Sequence, residues 1–340
     1  MIYLSSKMEN KNHTIDFLRF IAAAWVALFH FNEPIAHVDN WYRNFVKMGA
    51  LGVPIFFVIS GYCIGLSASR AKNAADFLVR RFFRILPPYW FSLLVVIGSV
   101  ITYKLLNSEN SVAILPKSII PILATLTLST SPLSNIPTIN WVYWSLTVEL
   151  FFYLAAAISV VSKKRWVNEI VLLLVSLVAF SADARASRAL FFLEFWPAFG
   201  IGMALFYFKF VDNKKYFFPA TLLLSNGGAL FYINSISSYS ITVVLTFLLI
   251  ALSTHLIDLP NSLFSKLGDL SYSVYLLHVP LGVYILGNFR NAFIQNNLFA
   301  NVLFDLLIYL VISVFAFYTY KYVELPSIQA GKKLLKKLSS

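Results

Sequence analysis

The stretch 14-TIDFLRFIAAAWVALFHFNEP-34 is apolar enough to cross a lipid bilayer, yet it carries an acid, a guanidinium and an imidazole. These groups belong to Asp16, Arg19 and His30. A charged side chain at the centre of a membrane costs about 3 kcal/mol or more, so such residues usually face the interior of a helix bundle and mark a pathway or a site. The stretch therefore predicts a membrane helix that carries a function.

The spacing of the three polar residues predicts a stripe along one side of this helix. Arg19 and His30 are 11 residues apart, which places them within about 20° of each other around an α-helix and about 16 Å apart along its axis. Asp16 precedes Arg19 by three residues and can pair with it on the same face. We expect Arg19 near the inner surface and His30 near the outer one. The alternative interpretation is an Asp–Arg pair at a helix start and a buried core histidine.

The composition favours an integral membrane protein throughout. Of 340 residues, 59% are hydrophobic and 12% are charged, and the mean hydropathy is +0.74; a soluble protein carries about 25% charged residues. The net charge of +12 would suit a nucleic-acid binder, but the basic residues are dispersed in short loops, as membrane topology requires. We expect no nucleic acid as a partner. The single cysteine, Cys63, excludes an intrachain disulfide and a cysteine-based metal site, so no metal is expected.

The predicted fold class is an all-α bundle of about ten transmembrane helices, forming one domain over residues 1–340 with no fused soluble domain. The segment 111–130 is interrupted by Pro116, Lys117 and Pro121, so it is predicted as a re-entrant or interfacial piece. The ten predicted spans are 15–33, 50–68, 85–103, 144–162, 167–181, 189–208, 217–233, 239–257, 270–288 and 300–319.

The distribution of positive charge supports this count. With ten spans, most of the 27 Lys and Arg residues lie on one side, which predicts that both termini are cytoplasmic. Counting 111–130 as a span would place the basic run at 163–165 outside. The tail 331-GKKLLKKLSS-340 is basic and partly amphipathic, and we expect it near anionic lipid headgroups.

A cluster of arginines precedes the third span, in 77-FLVRRFFRILPPYW-90. Arg81 and Arg84 share a helical face, and Arg80 is adjacent. Pro87 and Pro88 suit the first turn of a helix, whose amide-rich start would point at the same surface. The pattern predicts an anion site suited to phosphate. Ordinary anchoring of a cytoplasmic loop is the alternative.

Three further polar residues lie inside predicted spans. Glu149 lies at a depth similar to that of His30, where a carboxylate can orient an imidazole and raise its basicity; a structural hydrogen bond is the alternative. His278 lies in the middle of the ninth span, with Tyr272 on the same segment. A polar bundle residue and a group on the substrate path are equally good interpretations of His278. Gly61 and Gly65, four residues apart, predict close helix packing.

Six motifs follow one another along the chain: DFLRFIAAAWVALFH (16–30), GVPIFFVISGY (52–62), FLVRRFFRILPPYW (77–90), WSLTVELFFY (144–153), LSYSVYLLHVP (270–280) and the short VELP (323–326). Together they resemble the motifs of the membrane-bound acyltransferase 3 family, which O-acylates sugars of surface glycans and other acceptors. The resemblance extends over residues 12–326.

The resemblance implies roles for the matching positions. An arginine followed after ten intervening residues by a histidine matches Arg19 and His30. The resemblance implies that His30 is the catalytic histidine, acting either as a general base or as a group that is itself acetylated. The resemblance implies that Arg81 and Arg84 bind the acyl-CoA donor. Glu149 matches the acidic residue of the WSLTVE motif. Many members carry a fused extracytoplasmic hydrolase-like domain, which these 340 residues lack.

The expected activity is transfer of an acetyl group from cytoplasmic acetyl-CoA to a hydroxyl of a surface polysaccharide, such as O-antigen, capsule or exopolysaccharide. The expected acceptor is a lipid-linked or polymeric glycan, and the expected location is the bacterial inner membrane. Alternatives are a glycan or lipid transporter or flippase, an acyltransferase acting on peptidoglycan or a small molecule, and transfer of another acyl group such as succinyl.

Overall fold

The computed structural model describes residues 12–36, 38–107, 115–162, 164–210 and 216–338. All regular structure in these ranges is helical, which confirms the all-α class. The α-helices are α1 His13–Asn32, α2 Trp41–Lys47, α3 Gly52–Ser69, α4 Ala74–Asn107, α5 Ile119–Leu126, α6 Trp144–Val161, α7 Arg165–Val178, α8 Ala182–Ala186, α9 Trp196–Phe210, α10 Phe217–Asn234, α11 Ser238–His255, α12 Leu263–Leu267, α13 Ser271–Leu277, α14 Ala292–Asn296, α15 Leu298–Thr319 and α16 Leu325–Leu338.

Short 3₁₀ and π turns extend several of these helices. The 3₁₀ turns are Met48–Leu51, Trp141–Tyr143, Phe191–Glu194, Gly268–Leu270 and Leu286–Phe289, and the π turns are His278–Val283 and Tyr320–Glu324. A π turn interrupts the regular backbone of a helix and is often found at functional sites. One of these π turns begins at His278, which was identified from the sequence as a candidate site residue.

Within the described residues, five helical stretches are long and apolar enough to cross a bilayer: His13–Asn32, Trp41–Ser69, Ala74–Leu106, Trp141–Val161 and Leu298–Leu338. The remaining five predicted spans also contain helices, but shorter ones, and the total of ten and the side of the termini stay predictions. In 111–130 the described helix is α5, whose eight residues extend about 12 Å against a hydrocarbon core of about 30 Å. Residues 111–114 and Lys163 lie outside the described residues.

The chain divides into two compact units. Unit one comprises Met1–Arg19, Val53–Arg81 and Ser145–Ser265, and unit two comprises Phe20–Gly52, Phe82–Trp144 and Lys266–Ser340.

In unit one, α3 and α9 pack backbone to backbone. A Cβ atom added at Gly61 would lie 2.0 Å from the Phe199 carbonyl oxygen, and one added at Gly202 would lie 1.9 Å from the Val58 carbonyl oxygen. A Cβ at Gly65 would meet the Phe206 ring at 2.6 Å. This confirms the close packing expected from Gly61 and Gly65, because only glycine leaves room for such an approach.

The start of α1 is capped from within the helix and from a distant segment. The Asn12 side chain accepts from the Ile15 amide at 2.9 Å. Asp258 accepts from the amides of His13 at 3.0 Å and Thr14 at 2.9 Å. Burial alone would raise the pKa of Asp258, but hydrogen bonds from His13, Thr14 and Leu259 outweigh it and lower this pKa. These contacts occupy amide donors that a helix start leaves unsatisfied.

The expectation for Pro87 and Pro88 is wrong. Both lie inside α4, which begins at Ala74, so no helix starts beside the arginines. Proline at 87 removes the amide that would bond the Phe83 carbonyl. That carbonyl instead accepts from the Ser327 hydroxyl at 2.7 Å. Such replacement partners are how helices in membranes tolerate internal proline, and the anion site cannot rely on a helix start at this point.

Candidate active site

His30 lies in the last turn of α1, in unit two, and is paired with a carboxylate that the sequence did not single out. The Nδ1 atom of His30 lies 2.9 Å from a carboxylate oxygen of Glu33. Because an ionised carboxylate only accepts, Nδ1 carries a proton, and in the neutral imidazole Nε2 is then the nitrogen with the lone pair. The Trp141 indole nitrogen lies 3.4 Å from the same Nδ1; this longer contact does not set the tautomer. The pair therefore presents a basic nitrogen at Nε2.

His278 lies directly beside His30. The ring centroids are 5.3 Å apart and the ring planes are tilted by 35°. His278 is 1% exposed, and its Nδ1 lies 2.7 Å from the Tyr275 carbonyl oxygen. A carbonyl only accepts, so Nδ1 carries the proton here as well. The Nε2 atom of His278 is buried and has no hydrogen-bond partner among the described residues.

Trp141 forms one side of this site. Its ring lies 6.0 Å from that of His30 and 5.7 Å from that of Tyr284. Tyr284 is 1% exposed, and its hydroxyl is another buried polar group that finds no partner in the described ranges. Buried polar groups almost always have a partner, so each exception calls for an explanation. Here an acceptor of this kind lies on the ring beside His30, and a donor of this kind lies on the ring that packs against Trp141.

A buried polar network fixes the chain just after His30. Asp305 accepts from the Asn32 amide and from the Tyr42 hydroxyl, each at 2.6 Å, and it is paired with Arg290. Arg43 donates to the Asn32 side chain at 3.0 Å. A cavity of about 270 Å³ borders this network, and it is lined by Phe29, Asn32, Glu33, Ile35, Arg43, Val46 and Lys47. Glu33 thus belongs both to the His30 pair and to the wall of a cavity.

Two other predicted residues lie in unit two. The Tyr272 hydroxyl donates to the Ile85 carbonyl at 2.9 Å, close to the prolines of α4, so its described contact is with a helix backbone. Arg84 follows Arg81 by three residues on α4 and is half-buried.

In unit one, Arg19 is held between two side chains. Its guanidinium lies 3.1 Å from an Asp16 carboxylate oxygen and 3.1 Å from the Cys63 sulfur. The expected Asp16–Arg19 pair is therefore confirmed, with Asp16 itself 3% exposed. Arg19 and His30 lie on one continuous helix, as predicted.

Arg81 and Glu149 are linked through one tyrosine in unit one. The Arg81 guanidinium lies 5.7 Å from the centroid of the Tyr153 ring and donates to the Ser67 hydroxyl at 2.6 Å. The Tyr153 hydroxyl donates to Glu149, which also accepts from the Ser60 hydroxyl at 3.0 Å.

The neighbouring arginine is held by a carboxylate. Arg80 pairs with Asp76 at 3.0 Å, and Asp76 is 6% exposed. Part of the positive charge of Arg80 is therefore already balanced by a buried acid.

The chain is similar in sequence to known acyltransferases. A family model described as an acyltransferase domain matches residues 12–321. The chain is 26% identical over 316 residues to an O-acetyl transferase of Shigella phage Sf6, covering 86% of this chain and 91% of that protein. It is 27% identical over 310 residues to Nodulation protein 10 of Rhizobium leguminosarum bv. viciae, covering 78% of this chain and 82% of that one. No solved structure matches the chain.

Proposed function

Because the chain belongs to the acyltransferase 3 family and is a membrane-bound acyltransferase, we propose that it transfers an acetyl group from cytoplasmic acetyl-CoA to a sugar hydroxyl of a surface polysaccharide. O-antigen, capsule and exopolysaccharide are the acceptor classes of this proposal. The observation that carries it is the His30–Glu33 pair, which leaves a basic nitrogen at Nε2. The printed name of the phage relative, an O-acetyl transferase, supports the choice of reaction.

In the proposed reaction, His30 Nε2 takes the proton of the acceptor hydroxyl while the hydroxyl oxygen attacks the thioester carbon. The tetrahedral intermediate collapses with cleavage of the carbon–sulfur bond, and the imidazolium returns the proton to the sulfur of CoA. Glu33 holds the ring and stabilises the imidazolium, as a carboxylate does in a hydrolase triad. A route in which Nε2 first accepts the acetyl group uses the same nitrogen and the same carboxylate.

We assign the buried Tyr284 hydroxyl to the developing oxyanion. A donor that finds no partner in the described part of the protein is free to bond an oxygen that gains charge only in the transition state. Such preorganised donors contribute strongly in a site from which water is excluded.

Arg81, with Arg84 on the same helix and Arg80 beside it, is proposed to bind the phosphates of acetyl-CoA. Arg80 is the weakest candidate of the three, because its pairing with Asp76 already balances part of its charge. The sequence predicted that Glu149 assists His30 in catalysis; its described contacts support a different role, which is to position Arg81 through Tyr153.

The remaining predicted residues have supporting or open roles. We propose that Asp16 fixes the position of Arg19, the arginine that precedes His30 in the family motif.

We further propose a multi-pass location in the bacterial inner membrane, with the basic helix α16 at the lipid headgroups.

The test is the O-acetyl content of the host's surface polysaccharide, measured by NMR. A deletion strain is complemented with the wild-type gene, with His30→Ala and with His13→Ala, a control at the other end of the same helix. We expect acetyl signals with the wild type and with His13→Ala, and none with the deletion or with His30→Ala. Full acetylation with His30→Ala would remove His30 from the mechanism, and unchanged acetylation in the deletion strain would exclude this acceptor.

A further inference from the structure

The two neighbouring histidines present two acceptors and no donor at their Nε2 atoms. His30 uses its Nδ1 proton on Glu33, and His278 uses its own on the Tyr275 carbonyl. Each tautomer is set by a partner that can only accept. Both Nε2 atoms therefore carry a lone pair, on rings whose centroids are 5.3 Å apart.

The proposed reaction uses only one of these lone pairs. A buried acceptor without a donor loses its hydration without compensation, so the Nε2 of His278 requires a donor when the site is filled. One hydroxyl carries a single hydrogen and cannot serve both nitrogens. Two acceptors on neighbouring rings therefore require two donors, which points to a ligand with two neighbouring hydroxyls.

A metal ion does not fit these residues as well. Zinc sites use three or four protein ligands, and the described residues contain no group of three His, Cys, Asp or Glu side chains placed to hold a metal. The Glu33 carboxylate is already used by the Nδ1 of His30. Two hydroxyls of a sugar ring match the chemistry of the two nitrogens without further ligands.

We infer that His278 is an acceptor-binding residue and that the acyl acceptor is a vicinal diol of a sugar. One hydroxyl donates to His30 Nε2 and is acetylated, while its neighbour donates to His278 Nε2 and fixes the sugar. The inference rests on the proposed function and specifies which hydroxyls qualify. Once one oxygen of the pair is acetylated it has no hydrogen left to donate, so the second hydroxyl of the same pair is not acetylated.

The acetylated product itself tests this inference. The polysaccharide of the wild-type host is mapped by two-dimensional NMR, and its periodate consumption is measured before and after mild alkaline de-O-acetylation. Because periodate cleaves free vicinal diols, we expect more consumption after de-O-acetylation, and an acetylated carbon next to one that bears a free hydroxyl. Acetyl groups flanked only by substituted or deoxy carbons, or pairs acetylated at both positions, would overturn the inference. A polysaccharide without enzyme-dependent acetyl groups would instead refute the proposed function.

A pair of variants tests the residue. Membranes carrying His278→Leu or His278→Gln are assayed with radiolabelled acetyl-CoA and the de-O-acetylated polysaccharide as acceptor. Leucine has no acceptor atom, so we expect the KM for the polysaccharide to rise about tenfold with the KM for acetyl-CoA unchanged. Glutamine offers an amide oxygen and should recover most of this loss. Equal changes in both KM values, or no advantage of glutamine over leucine, would contradict a role in binding the acceptor.

Discussion

The described part of unit two holds a buried polar network around Asp305 and a polar site around His30 and His278, and they differ in whether their buried polar atoms have partners. Around Asp305, the carboxylate, the guanidiniums of Arg43 and Arg290 and the amide of Asn32 bond one another, and none of their buried side-chain atoms lacks a partner in the described residues. Beside His30, the His278 nitrogen lacks one. Complete satisfaction is what a structural network requires, whereas an unsatisfied buried atom requires an explanation, and beside His30 a bound ligand provides one.

The largest expected effect breaks the site and leaves the network intact. His30→Ala should lower the rate of transfer at least about 10³-fold, because general base catalysis contributes about 10²–10⁴-fold. The thermal stability of the detergent-solubilised protein should not change, since His30 is not part of the Asp305 network. Radiolabel transfer and a melting curve measure the two properties. A large loss of stability would make His30 a structural residue.

The converse change breaks the network. Asp305→Ala leaves Arg290 buried without its carboxylate, and removing one partner of a buried ion pair costs about 3–5 kcal/mol. We expect a lower melting temperature and less protein in the membrane, with kcat per folded molecule nearly unchanged. Asp39→Ala is the matched control, because Asp39 is an exposed acid bonded to Asn44. Equal stability of the two variants would show that the network does not stabilise the fold.

Two buried tyrosines extend the comparison to hydroxyl groups. Tyr284→Phe should lower kcat about 10²-fold, the effect of removing one oxyanion donor, with little change in stability. The Tyr89 hydroxyl is satisfied by the Thr125 carbonyl at 2.6 Å, so Tyr89→Phe should lower stability and leave kcat nearly unchanged. Steady-state kinetics and melting curves on both variants test this, and a reversed pattern would remove Tyr284 from the mechanism.

The arginines of unit one repeat the comparison at a smaller scale. Arg81→Ala should raise the KM for acetyl-CoA about tenfold, because a charge-assisted hydrogen bond is worth about 1.5–3 kcal/mol. Arg80→Ala should change it much less, since Asp76 already neutralises Arg80. Initial rates at varied acetyl-CoA measure both. An unchanged KM for acetyl-CoA in both variants would assign these arginines to membrane anchoring.

The smallest effect concerns the cap of α1 and depends on pH. The pKa of Asp258 is lowered in the folded state, so its ionised form stabilises the fold above its unfolded pKa, and this contribution disappears as the pH falls through the folded pKa. Asp258→Asn should therefore melt slightly below the wild type at pH 7. The two proteins should converge under strongly acidic conditions. A constant difference at every pH would show that the charge is not involved.

The sequence predicted the helices more completely than the site. The spans 239–257 and 300–319 correspond to Ser238–His255 and Leu298–Thr319, because an apolar run has a length that can be read directly. The start of α4 was missed, since two prolines resemble a helix start when the partner of the freed carbonyl is unknown.

The environment of His30 was missed for a related reason. Its contact with Trp141 joins residues 111 positions apart in the sequence, and no pattern in one sequence records such a distance. The contact between Glu33 and His30 could have been predicted, because Glu33 follows His30 by three residues and therefore lies on the same side of the helix end. His278 was recognised as unusual from its position in an apolar span, but only the structure pairs it with His30.

The cap of α1 has a consequence for the order of events during synthesis. Asp258 is translated about 245 residues after His13, whose amide it binds. At about 5–20 residues per second, the first helix waits roughly 12–50 s after its own emergence before this partner exists. During that interval the polar beginning of the helix relies on Asn12 and water, and the helix start reaches its final bonding only when most of the polypeptide has left the ribosome.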